Sequence, residues 1–134
     1  MRTLLTRTLA PDDSAPRLAR ESLGDLRTDR NLDLPTLRLL VSELVSNSLR
    51  HSQVPASARI ELVVLETDDR IRVEVKDPGD GSQGVSRALD RLREEPAPNE
   101  WPPEGGFGLG LVASLSDRYG VRSDDGTVVW FEVV

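Results

Sequence analysis

The chain has 134 residues, 37% of them hydrophobic and 30% charged, with a formal net charge of −6, which predicts a single soluble globular domain with a real core. A general nucleic-acid binder carries a basic face, so no direct nucleic-acid partner is expected. No apolar run approaches the ~18 residues of a membrane span, and the lack of cysteine removes disulfides, zinc–thiolate sites and thiol nucleophiles.

Met1 to Leu5 is followed by Thr6 and Arg7, which interrupt any signal-peptide apolar region, so a cytoplasmic protein is expected. Arg2 to Leu9 alternates loosely and predicts an edge strand. Pro11, Asp12, Asp13 and Ser14 then punctuate the chain, and Asp13 or Ser14 can cap a helix ahead of Pro16. That helix runs on Leu18, Leu23 and Leu26 to about Arg30, weakened by Gly24. A second helix starts at the cap Asp33, with Pro35 in its first turn, where a missing N–H costs little. Leu37, Leu40, Val41, Leu44, Val45, Ser48 and Leu49 fall on one arc of it, and Glu43, Asn47 and His51 form a polar stripe along the margin. Gln53 and Pro55 end it.

Ser57 to Thr67 and Arg70 to Lys76 are rich in Ile and Val and are joined by Asp68-Asp69, which predicts an antiparallel hairpin. Asp77-Pro78-Gly79-Asp80-Gly81 closes the second strand. Val85, Leu89 and Leu92 predict a helix over 82–94, and Glu95 to Gly105, with four of the nine prolines and Trp101, reads as a long loop. Phe107 to Tyr119 predicts a helix opening on glycines. Tyr119 to Ser123 and Thr127 to Val134 form a closing hairpin around Asp124-Asp125-Gly126. Few helices and many antiparallel strands predict an α/β fold. It is a two-layer α/β sandwich over residues 1–134, with the helices on one face of a mixed, mostly antiparallel sheet.

Lys76 is the sole lysine and no Gly-x-x-x-x-Gly-Lys-Ser/Thr loop exists, so the P-loop route to a nucleotide is closed. The eukaryotic-type protein kinase motifs are absent too, and a serine hydrolase triad would have to use His51 without a nucleophile elbow. Three other segments carry chemistry. Glu43 and Asn47 lie one helical turn apart and offer a carboxylate and an amide oxygen to a hard cation or a water; a solvated helix face is the plainer reading. Asp77 ends a strand beside Gly79 and Gly81, where a carboxylate can accept a hydrogen bond from an exocyclic amine and the glycines admit a flat base. An ordinary Asp-Pro-Gly turn uses the same residues. Gly106, Gly108 and Gly110 open an apolar helix, which suits either phosphate binding at its N–H groups or close helix–sheet packing.

These elements in this order resemble the GHKL (Bergerat-fold) ATPase superfamily, which includes histidine kinases and gyrase. The first is similar to that family's N box, the second to its Asp-x-Gly-x-Gly box, and the third to its Gly-x-Gly-x-Gly-Leu lid box, here ending Gly108-Leu109-Gly110. Gly126-Thr127 before the last strand is similar to its final box. The resemblance runs from about Leu34 to Val134. About thirty residues precede the N box, too few for a phosphoacceptor helical hairpin, so the chain looks like the free-standing anti-sigma-factor serine kinases of the RsbW type. The resemblance implies ATP and Mg2+ as cofactors, with Glu43 as catalytic base and Asn47 as magnesium ligand. Asp77, Gly79 and Gly81 would take adenine, backed by Thr127, while Gly106, Gly108, Leu109 and Gly110 close on the phosphates from an ATP lid at about 82–110. Arg50, three residues after Asn47, stands where sensor kinases often keep a basic phosphate contact. His51 is expected to pack at the pocket edge, and Lys76 to face away from Asp77.

The implied activity is that of a serine/threonine protein kinase and anti-sigma regulator. It would phosphorylate a serine of an anti-anti-sigma (STAS) protein and hold a sigma factor in competition with it. A homodimer through the first strand and helix is a further family expectation. Some kinases of this type place an arginine just ahead of the lid glycines, where this chain has Glu104. That departure supports a second reading, a nucleotide-gated protein-binding module of the same fold without kinase activity.

Overall fold

The computed structural model describes residues 1–51, 54–78, 110–123 and 126–134. Five strands, β1 (Arg2–Leu9), β2 (Ile60–Glu66), β3 (Ile71–Asp77), β4 (Arg118–Ser123) and β5 (Thr127–Val133), form one sheet in the order β1-β2-β3-β5-β4. Every pairing among them is antiparallel. The helices are α1 (Ala15–Ser22), continued by a 3-10 turn at Leu23–Asp25, α2 (Leu34–His51) and α3 (Gly110–Leu115).

Period-two patterning decides which face of the sheet meets the helices. In β3, Ile71, Val73 and Val75 are buried in the core, and in β5 Phe131 lies opposite Val73. The α2 arc supplies the other half: Leu37, Leu40, Val41, Leu44 and Val45 are all buried, and Ser48 with them. Each such aliphatic side chain removed from water contributes about 1.5–3 kcal/mol, so this helix is held rigidly over the sheet. Asp33 caps it as the sequence predicts, accepting from the Thr36 N–H at 3.2 Å and from the Thr36 hydroxyl at 2.7 Å.

The opposite face carries charge. Arg72 Nε donates to Glu74 at 2.8 Å and its Nη1 to Glu132 at 3.1 Å. Arg122 reaches Glu74 at 3.3 Å and Arg118 reaches Glu132 at 3.4 Å. The Arg72 guanidinium also stacks 4.0 Å over the Trp130 ring. Gly120 is the cross-strand partner of Trp130, and a Cβ there would stand 2.8 Å from the indole, so the small residue is what lets the ring lie flat on the sheet. Lys76 lies on this face, 3.9 Å from Glu61, and so points away from Asp77 as expected.

Several boundaries differ from the sequence reading. The first helix stops at Ser22 and tightens into the 3-10 turn, and Leu26 is already extended, so it does not reach Arg30. Gly24 inside the final turn explains the early end. Its start is organised by Asp12, whose carboxylate accepts from the Ser14 N–H at 2.9 Å and from the Ser14 hydroxyl; neither Asp13 nor Ser14 supplies a side-chain cap. The last helix ends at Leu115 rather than Tyr119, because β4 already begins at Arg118. β2 starts at Ile60, after a turn closed by the Ala58 N–H on the Pro55 carbonyl at 2.9 Å. The helix expected over 82–94 and the loop over 95–105 lie outside the described residues.

Candidate nucleotide site

The position of α2 along the sheet follows from its two ends. Its start, Asp33 and Leu37, lines a cleft with Val133, the end of β5. Asn47 comes fourteen residues after Asp33, a rise of about 21 Å at 1.5 Å per residue. β5 runs antiparallel to β3, and its first residue, Thr127, pairs with the last residue of β3, Asp77. The C-terminal half of α2 and the Asp77–Thr127 pair therefore lie toward the same end of the molecule.

Two clusters define that end. The first is on α2. Asn47 is 6% exposed, Glu43 is partly buried, and Arg50 bridges them. Arg50 Nη2 donates to Asn47 Oδ1 at 3.0 Å and stands 3.8 Å from Glu43 Oε1. The other side of the amide, Asn47 Nδ2, is buried with no hydrogen-bond partner. A buried donor left unmatched costs about 1–3 kcal/mol, and such an atom points to a group that completes it.

The second cluster is at the strand ends. Asp77 is 4% exposed and Thr127 is 3% exposed, although both are polar and terminate their strands. Beside them Gly126 adopts φ +138°, and a Cβ there would stand 2.2 Å from the Asp77 carbonyl oxygen and 3.0 Å from Pro78 Cα. Only glycine allows the two chains to approach this closely. A carboxylate buried at a strand end, with a hydroxyl residue as its cross-strand partner, is suited to a ligand that donates a hydrogen bond, such as an exocyclic amine.

The structure thus describes Glu43, Asn47, Arg50, Asp77 and Thr127, and places them in two groups at one end. Gly79, Gly81, Gly106, Gly108 and Leu109 lie outside the described residues, as does the His51 side chain; Gly110 is the first residue of α3. The sequence places Gly126 both at the end of an Asp-Asp-Gly turn and, with Thr127, in a segment similar to the family's final box, but its close approach to the Asp77 carbonyl went unread. Its signal was present, since a glycine directly before a strand marks a bulge or a close approach. The cleft at the other end of α2 contains Asp33 and Asp117, but these carboxylates are engaged by Thr36 and by the Val134 N–H, at 2.7 and 2.8 Å.

Among the described residues no group of three or more histidines and carboxylates converges to cage a cation. Asn47 and Glu43 nonetheless suit magnesium, a hard ion that takes oxygen ligands and is commonly held by one or two protein groups together with substrate phosphates.

The sequence profile of the histidine kinase-like ATPase domain matches residues 12–133. This chain belongs to that family. The histidine kinase-like ATPase assignment agrees with the α/β sandwich. The chain is 28% identical over 103 residues to the serine-protein kinase RsbW of Bacillus cereus strain AH187, covering 72% of this chain and 61% of the relative. It is 27% identical over 103 residues to RsbW of Bacillus mycoides, with the same coverage. It is 32% identical over 88 residues to the sensor histidine kinase YxdK of Bacillus subtilis, covering 64% of this chain and 27% of that protein. The histidine kinase-like ATPase chain therefore spans about three-fifths of the length of the RsbW proteins it matches. No helix among its described residues is long and apolar enough to cross a membrane.

Proposed function

We propose that the chain is a single ATP-binding domain that transfers phosphate from magnesium-ATP to a serine of an anti-anti-sigma (STAS) partner, and so acts as a cytoplasmic anti-sigma regulator. The observation that carries the nucleotide part is the pairing of buried Asp77 with buried Thr127, with Gly126 packed against the Asp77 carbonyl. The protein-kinase part is supported by the similarity to RsbW serine-protein kinases.

In this reading Asp77 accepts a hydrogen bond from the adenine amine, and Thr127 holds the strand end around it. Gly79 and Gly81 admit the base. The lid glycines Gly106, Gly108 and Gly110, with Leu109, close over the phosphates. Asn47 would ligate magnesium, which neutralises phosphate charge when bound. Glu43 takes the proton of the serine hydroxyl as that oxygen bonds to the γ-phosphorus. ADP leaves with the electron pair of the broken P–O bond. The sigma factor competes with the STAS protein for the same chain, and a homodimer forms through β1 and α1.

The test is to mix the protein with a STAS partner and labelled ATP. Label on serine, lost with Glu43→Ala, supports the reading; transfer that survives that substitution removes Glu43 from the role. An ATP analogue with magnesium at ~100 times its dissociation constant adds about 2.7 kcal/mol of stability, and an unchanged melting temperature overturns the nucleotide site itself.

A second reading, a nucleotide-gated protein-binding module without transfer, is favoured by the ion pair between Glu43 and Arg50, since the carboxylate already has a cationic neighbour. Analogue binding with no turnover in the presence of any partner selects it.

A further inference from the structure

One nitrogen, Arg50 Nη2, stands close both to Asn47 Oδ1, the proposed magnesium ligand, and to the neighbouring Glu43 carboxylate. It is 3.0 Å from Asn47 Oδ1 and 3.8 Å from Glu43 Oε1. Magnesium sits at about 2.1 Å from its ligands, so an ion bound to Oδ1 within reach of Glu43 needs the space that this nitrogen fills, and faces its positive charge. We propose that Arg50 is a placeholder for the cation: its guanidinium keeps free divalent ions off Asn47 and Glu43, and leaves when nucleotide phosphates offer it a new partner. Metal then enters with the nucleotide and not ahead of it.

The two partners differ in freedom. Asn47 is buried, its other amide atom enclosed, so the acceptor is fixed. The Arg50 side chain is 52% exposed and the Glu43 side chain 27%. An ion pair this open to water is weak and easily exchanged, and a long half-exposed side chain swings aside without disturbing the helix that carries it. Glu43, Asn47 and Arg50 occupy positions i, i+4 and i+7 of α2, one face of one element, so the exchange needs no movement of backbone. The inference rests on the nucleotide reading for what draws Arg50 away; the exclusion of free cation depends on the helix geometry alone.

The experiment follows the side-chain amide resonances of Asn47 in the nucleotide-free protein while Mn2+ alone is added, in wild type, Arg50→Ala and Arg50→Lys. Paramagnetic broadening should reach its midpoint at several-fold lower Mn2+ in Arg50→Ala than in wild type. Arg50→Lys, which keeps the charge, should retain most of the protection. Equal midpoints in wild type and Arg50→Ala overturn the proposal. A non-hydrolysable ATP analogue is then added to the wild type in chelator, where the Arg50 Nε–H resonance should shift; an unmoved resonance in a protein that binds the analogue by calorimetry overturns the release. If calorimetry shows no analogue binding, the nucleotide reading fails separately, and the Mn2+ comparison still decides whether Arg50 excludes the cation.

Discussion

Asp77 stands directly across the β3–β5 ladder from Thr127, the last pair of that ladder, and both are buried. If Asp77 receives a hydrogen bond from the bound base, Asp77→Asn replaces a charged acceptor with a neutral amide that presents a donor. A hydrogen bond to a charged group contributes about 1.5–3 kcal/mol, so affinity for an ATP analogue should fall at least about tenfold by calorimetry. Thr127→Val should fall less if, as proposed, Thr127 supports Asp77 rather than touching the base. Unchanged affinity in Asp77→Asn removes the residue from the site.

Gly126→Ala should destabilise the fold and weaken the ligand together. Its φ of +138° alone costs a non-glycine residue about 1–3 kcal/mol, and the added Cβ overlaps the Asp77 carbonyl. Gly120→Ala is the control. It strikes the Trp130 indole on the other face, so it should lower the melting temperature while leaving nucleotide affinity intact in the folded protein. Equal loss of affinity in both variants means that Gly126 acts only through stability.

If Glu43 is the base of the proposed transfer, Glu43→Gln should reduce phosphoryl transfer by about 10²- to 10⁴-fold, the usual contribution of a positioned base. Analogue affinity should change little, since Glu43 is partly exposed and lies on α2 near Arg50 rather than at the Asp77–Thr127 strand ends. A quench assay with labelled ATP and the STAS partner reads the first, calorimetry the second.

The charged face gives a pH dependence. Burial pulls the Glu74 carboxyl upward, but hydrogen bonds from Arg72 and Arg122 and their charge outweigh it and hold it below the ordinary carboxylate range. A depressed folded-state value means that the unfolded chain takes up the proton first as pH falls. The contribution of Glu74 is therefore complete above the unfolded value of about 4.3, and is lost as pH drops through the lower folded value. Glu74→Gln should cost about 1.5–3 kcal/mol at pH 7 and progressively less below pH ~4. Urea denaturation of both proteins at several pH values checks this; a gap that persists undiminished in acid contradicts it.

The helix α2 was legible because its information is local: Leu37 to Ser48 repeat at helical spacing, and Asp33 caps the start. The β2–β3 hairpin was legible for the same reason, its turn residues lying between two Ile- and Val-rich runs. The Arg72–Glu74–Glu132–Arg122 network was not. Along each strand these residues look like the wet half of an alternation, and their pairing depends on β5 lying between β3 and β4, which no neighbouring residues encode. In the site, the spacing of Glu43, Asn47 and Arg50 could be read directly. The hydrogen bond from Arg50 to Asn47 could not, because helix spacing allows that contact without requiring it.

The strand order has a consequence for how the molecule assembles. β2–β3 and β4–β5 are local hairpins, whereas β3–β5, like β1–β2, joins residues roughly fifty to sixty positions apart in the chain. Contacts that distant form late, since the intervening chain must surrender its freedom before they repay it. Asp77 and Thr127 sit on the β3–β5 seam, one from each hairpin. A ligand gripping both acts as a clasp across one of the two long-range joins in the sheet, so amide protection along the β3–β5 seam should rise on binding more than protection between β2 and β3 or between β4 and β5.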